Sequence, residues 1–162
     1  MSGPDGSAAV WPDLAGRIEN DRHRLAVRVY FEDTDFAGLA YHASYLRWCE
    51  RGRSDWLRLL GVHHRELIAG TEPAAFVVRK LTIDYFKPAR IDEVLDVVTS
   101  CAGLTTATLT LVQEIRRDGL LLTKAEVLVV LVSATGRPMR LPARVREAFG
   151  AEPSNRSDGE PG

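Results

Sequence analysis

A two-layer α+β domain, with a five-stranded antiparallel sheet wrapped around one long helix, is the fold class this sequence predicts. Three observations lead there. Residues 44–60 carry the one long apolar stripe of helical period. The other regular segments, at 24–31, 74–86, 94–102, 105–117 and 120–134, read as strands. Asp118-Gly119 joins the last two as a strong hairpin signal. One striped helix and one sheet must bury their faces on each other.

In chain order, "RLAVRVYF" alternates and sets Leu25, Val27, Val29 and Phe31 on one face. Between 44 and 60 the stripe comprises Tyr45, Trp48, Cys49, Gly52, Trp56, Leu59 and Leu60. Arg47, Glu50, Arg51, Asp55 and Arg58 take the opposite side, with Arg51 and Asp55 spaced as a weak helical ion pair. Gly52 costs about 1 kcal/mol against alanine inside a helix. Its place on the stripe predicts a close approach by a neighbouring backbone, and Gly61 ends the helix. Residues 62–70 have some helical character. The 74–86 strand stops at Lys87-Pro88, because proline cannot donate to a ladder. In 105–117, Ala107, Leu109, Leu111, Gln113 and Ile115 share one face. Residues 142–149 form a short last helix with proline at its first turn. The apolar run at 127–132 predicts an edge or face that another subunit covers, hence a homodimer or homotetramer.

The length of 162 residues fits one domain. We divide it into a flexible N-terminal extension at 1–22, rich in Gly, Pro, Asp and Ala, a domain at 23–149, and a disordered polar tail at 150–162. Trp11, within the extension, either touches the body or is exposed. With 27% charged residues and a net charge of −1, the chain lacks the basic excess of a nucleic-acid binder. Cys49 and Cys101 form neither a disulfide framework nor a metal-spaced pattern, which fits a reducing compartment. There is no signal-peptide pattern and no apolar stretch near the ~20 residues of a membrane span, so a cytoplasmic protein without a membrane span is expected.

Chemistry concentrates in "YFEDTDFAGLAYH", where Glu32, Asp33 and Asp35 crowd together ahead of Gly38 and His42. Gly38 can supply a positive φ or let a ligand approach the backbone. The helix start near 42–45 presents backbone N–H groups and the positive end of its dipole. A carboxylate beside such donors can activate water or attack directly while the N–H groups hold an oxyanion. Aspartate before a helix is also commonly a cap or turn former. Asp33, Asp35 and His42 have metal-capable donor types but no recognised ligand spacing, so no metal or cofactor is expected.

The pattern Tyr30, Glu32, Asp33, Thr34, Asp35, Gly38, Tyr41, His42, Tyr45, Glu50, Arg51 and Arg53 resembles the 4-hydroxybenzoyl-CoA thioesterase-like hotdog family, in particular its YbgC-type acyl-CoA thioesterases. "DYFKPARIDEVLDV" extends the likeness, which covers about 25–149. The strand, helix, four-strand order is the one the hotdog fold requires. The resemblance implies acyl-CoA as substrate, with Asp35 as the catalytic carboxylate and His42 as the motif histidine whose backbone N–H polarises the thioester carbonyl. It implies that Tyr41, Tyr45 and Gly38 line or support the site and that Asp33 and Thr34 fix the loop. Phe31 stands where relatives commonly have tyrosine. A site between subunits would draw residues of 74–80 from across a dimer. Lys87, Arg90, Arg79 and Arg137 are candidates for the CoA phosphates on charge alone. Two other functions compete with hydrolysis: an acyl-thioester dehydratase, and a non-catalytic or dual-role partner of envelope (Tol-Pal) or lipid-synthesis proteins.

Overall fold

The computed structural model describes residues 14–150. They form strands β1 (Arg17–Glu19) and β2 (Arg22–Arg28), helices α1 (His42–Leu59) and α2 (His64–Ala69), and strands β3 (Ala74–Tyr85), β4 (Val94–Leu104), β5 (Thr108–Arg117) and β6 (Leu120–Ser133). Helix α3 (Ala143–Phe149) closes the order. All strand pairs are antiparallel in one sheet of order β1-β2-β4-β5-β6-β3. Asp118 (φ 49°) and Gly119 (φ 81°) form the predicted two-residue turn between β5 and β6.

The long helix sits on the inner face of the sheet. Tyr45, Trp48, Cys49, Gly52 and Trp56 are buried as the stripe requires. They meet Leu95, Val97 and Thr99 of β4, Leu109, Leu111, Gln113 and Ile115 of β5, and Ala125, Val127 and Val129 of β6, all buried. The registers place these residues opposite one another, Thr99 with Gln113 and Gln113 with Ala125. Leu57, off the predicted stripe, is buried as well, while Leu59 at the helix end is exposed. Gly52 does mark a close approach, but by side chains rather than a backbone. A Cβ there would lie 3.0 Å from Val97 Cγ1, 3.2 Å from Thr99 Oγ1 and 3.3 Å from Gln113 Nε2.

Three expectations need correction. The sheet has six strands, because residues 17–19, assigned by sequence to a flexible extension, pair with β2 through Arg17–Arg24, Ile18–His23 and Glu19–Arg22. Asn20 (φ 51°) and Asp21 (φ 59°) supply the left-handed turn between them. Trp11 lies outside the described residues. Second, β2 ends at Arg28, and Phe31 points to solvent rather than sharing the strand face. The cause is Asp33, whose Oδ2 accepts the Tyr30 N–H at 2.8 Å and winds Phe31–Asp33 into a 3-10 turn. Third, residues 127–132 are not an edge: Val127 pairs with Leu111 on one side and Leu81 on the other. The long exposed edge is β3, where Val77 and Val78 are about half exposed.

Candidate active site

Asp35 occupies a tight turn that its own side chain helps to build. Its Oδ1 accepts the N–H groups of Ala37 at 2.8 Å and Leu39 at 3.2 Å. Its backbone N–H donates to the Leu39 carbonyl, and its carbonyl accepts the Gly38 N–H. Gly38 has φ 75°, which the turn demands. The turn is closed by a bridge between Thr34 and Ala40. One carboxylate oxygen is thus committed to the loop. The other, Oδ2, accepts no hydrogen bond from the described residues, and the residue is exposed. The turn-former and the reactive carboxylate inferred from sequence are compatible in one side chain.

Asp33 is built into the loop. It is buried, its carboxylate holds Tyr30, and its carbonyl accepts both the Tyr41 N–H (2.8 Å) and the Ser44 hydroxyl (2.9 Å). Thr34 ties back to the Phe31 carbonyl. These bonds bring the chain straight from the Asp35 turn into α1. The Ser44 N–H returns to the Tyr41 carbonyl, while the His42 and Ala43 N–H groups have no partner among the described residues. The His42 ring is exposed and lies against Tyr41, centroids 4.3 Å apart.

The end of β3 and the segment after it strap both parts of the site together. At one end the Tyr85 hydroxyl donates to the His42 carbonyl at 2.8 Å. The Tyr45 hydroxyl accepts the Ala89 N–H at 2.9 Å, so Tyr45 supports the site from within the core. The Tyr45 and Tyr85 rings meet edge to face at 5.3 Å. At the other end the Ala89 carbonyl accepts the Ala40 N–H, and the Ile91 N–H donates to the Gly38 carbonyl. Burial pushes the phenols of Tyr45 and Tyr85 up, keeping both protonated at neutral pH. Tyr30, Phe31, Phe36, Tyr41, Phe86 and Ile91 leave an exposed apolar rim on these same segments.

Of the four basic candidates, Arg90 is bridged to Leu39 and Lys87 lies in the same strap. Arg79 stands midway along β3. Arg137 lies near the opposite end, where Ser133 pairs with Ala74. At about 3.3 Å per residue, the β3 segment separates that end from Tyr85 by roughly 36 Å. A half-open cavity of about 120 Å³ also lies away from Asp35, lined by Arg53, Ser54, Trp56, Phe76, Leu109 and Phe149. No group of three metal-capable side chains converges among the described residues.

Two polar clusters were missed by sequence reasoning. Gln113, read as one member of an apolar face, donates to the Cys49 carbonyl and Thr99 Oγ1 and accepts from Arg53 Nη1 at 2.9 Å. A lone glutamine on an otherwise apolar face opposite a helical glycine was the available signal. Asp55, assigned to an ion pair with Arg51, turns inward instead: its Oδ2 lies 2.5 Å from His23 Nε2 and accepts the Gly16 N–H at 2.8 Å. His23 is fully buried and stacks on Trp56.

Known proteins share this architecture. The model of the thioesterase-like superfamily matches residues 29–149. An acyl-CoA thioester hydrolase YbgC of Escherichia coli O6:H1 is 41% identical over 128 residues, covering 78% of this chain and 94% of that protein. An acyl-CoA thioesterase YbgC of Haemophilus influenzae is 40% identical over 124 residues, or 76% of this chain and 90% of that one. The crystal structure of a probable thioesterase from Bartonella henselae, 40% identical, superposes with a TM-score of 0.72 over 75% of this chain and 99% of that one. A 1,4-dihydroxy-2-naphthoyl-CoA thioesterase from Synechocystis, at 22% identity and TM-score 0.74 over 81% and 97% of the two chains, shares the fold.

Proposed function

The chain belongs to the thioesterase-like superfamily as a YbgC-type thioester hydrolase, and from that membership we propose that it hydrolyses acyl-CoA to a free acid and CoA with Asp35 as base or nucleophile. The observation that carries the residue assignment is the division of labour within Asp35, one oxygen bound into the turn and the other without a partner among the described residues. The same loop leads into the first turn of α1, where the His42 and Ala43 N–H groups have no partner among the described residues.

Hydrolysis needs two things of this site. The thioester carbonyl oxygen must be held as negative charge develops on it, a task for the His42 N–H aided by the helix dipole. A nucleophile must reach the carbonyl carbon. As base, Asp35 Oδ2 takes a proton from water as the oxygen adds. The oxyanion then collapses, the C–S bond breaks, and the departing thiolate takes up the proton. As nucleophile, Asp35 forms a mixed anhydride that water cleaves. Thiolate is a good leaving group, so no strong acid is required. Gly38 keeps the approach to the turn open: a Cβ there would meet only Ile91 Cγ2, at 3.8 Å. Tyr41 and the exposed rim would contact the acyl-pantetheine portion, and Lys87 and Arg90 the CoA phosphates.

CoA release from a panel of acyl-CoAs, acetyl to palmitoyl with a benzoyl thioester, tests this directly. The wild-type protein should turn over at least one member. Asp35→Asn should lower kcat about 10²- to 10⁴-fold with an unchanged far-UV spectrum. A folded variant with near-normal turnover would overturn the Asp35 assignment.

A further inference from the structure

We propose that Tyr85 is a positioning residue for hydrolysis, strengthening the Ala43 N–H as an oxyanion donor through the peptide unit that Ala43 shares with the His42 carbonyl. The inference rests on the reading that the start of α1 holds the oxyanion, and it adds a second N–H and the side chain that tunes it.

The Tyr85 hydroxyl donates to the His42 carbonyl oxygen at 2.8 Å. That oxygen and the Ala43 N–H are opposite ends of one delocalised amide. A donor on the oxygen draws electron density toward it and leaves the N–H more positive, as in any chain of polarising hydrogen bonds. In a helix the carbonyl points toward the C-terminus and the N–H back out of the N-terminus. Tyr85 therefore acts on the Ala43 N–H through the carbonyl side of that peptide. Among the described residues the Ala43 N–H has no partner, and the first N–H in α1 that turns back onto the chain is that of Ser44.

Tyr85 is held for this task from three sides. It is the last residue of β3, in register with Thr123 of β6. Its ring edge packs on Tyr45, and the next two residues, Phe86 and Lys87, both donate their N–H groups to the Leu122 carbonyl. A phenol is protonated across the neutral range in any case, and desolvation moves that of Tyr85 further up, so the hydroxyl is available as a donor. The same strap fastens the Gly38 and Ala40 ends of the Asp35 turn. One continuous stretch of chain thus fixes both the carboxylate and the donors it works with.

The test is steady-state kinetics of full-length Tyr85→Phe beside Asp35→Asn, on whichever acyl-CoA the wild type hydrolyses fastest. Phenylalanine keeps the ring contact and removes the hydroxyl alone. A polarising gain of 10–30% on a donor of oxyanion-hole strength corresponds to a kcat roughly two- to eightfold lower, at unchanged KM. Unchanged kcat, or a raised KM alone, overturns the inference. If Asp35→Asn is inactive in the same assays, the hydrolase reading stands without it. An active Asp35→Asn removes the Asp35 assignment alone, whereas a wild type that hydrolyses no acyl-CoA removes the hydrolase reading and this inference together. Should Tyr85→Phe fail to fold, 3-fluorotyrosine at position 85 supplies a stronger donor of nearly the same shape, and kcat should rise. No rise overturns the inference.

Discussion

Cys49 lies fully buried on the inner stripe of α1, and burial pushes its thiol up to about 11. The neutral form is the one the fold accepts. The native state holds this proton where an unfolded chain has released it, so the stability it contributes is complete below the ordinary thiol range and lost as pH rises from about 9 toward 11. Urea midpoints should therefore fall across that interval, and Cys49→Ala should flatten the fall. Ellman's reagent should leave native Cys49 unmodified at pH 8 and modify it on unfolding. At this scale the sequence was legible wherever a residue's role is set by its near neighbours. The Asp33 and Asp35 carboxylates make bonds that reach only a few positions along the chain. Asp55 was not legible. Arg51 is four residues away and His23 is 32, and only the folded chain shows which one it faces.

That contact belongs to the β1–β2 hairpin, which Asp55 fastens to the helix. Asp55 Oδ2 takes the Gly16 N–H just ahead of β1 and meets His23 on β2. Asp55→Ala removes the acceptor from both groups and leaves neither ring nitrogen of buried His23 paired among the described residues, where Nδ1 already lacks a partner. A loss of about 1–3 kcal/mol in urea unfolding is expected, with faster amide exchange across residues 17–24 than in β5. Equal exchange in the two regions would show that strand pairing alone holds the hairpin. The Asn20-Asp21 turn was the signal in the sequence, two residues known to tolerate positive φ. A three-residue strand with an all-exposed pattern carries no alternation to notice. Periodicity located β2, β4 and β5 because each has one face against the helix, and it failed at Phe31 because Asp33 ends the strand by a hydrogen bond that alternation cannot report.

For the molecule as a whole, the order of elements was readable because the apolar period changes from two to helical and back, and the family model spans the same stretch. Which strand lies at the sheet edge was not readable, since apolar runs in β3 and β6 look alike and only pairing distinguishes them. β3 presents a long strand with one unpaired side, and the aromatic rim around Asp35 is uncovered. Both are surfaces that a second copy would bury. Light scattering on the purified protein should thus give at least twice the chain mass of 17.9 kDa, and a monomer at micromolar concentration would count against a site shared between subunits. The notch at Gly52 has a consequence for that site. Trp48, Gly52 and Trp56 follow one another at single-turn intervals along α1, and the pocket facing Gly52 has room for a hydrogen atom and little more. Sliding the helix by one turn, about 5.4 Å, would drive an indole into that pocket from either direction. The helix is therefore indexed against the sheet like a ratchet with one tooth. The placement of its first turn beside Asp35 is set ten residues away, by the absence of a side chain.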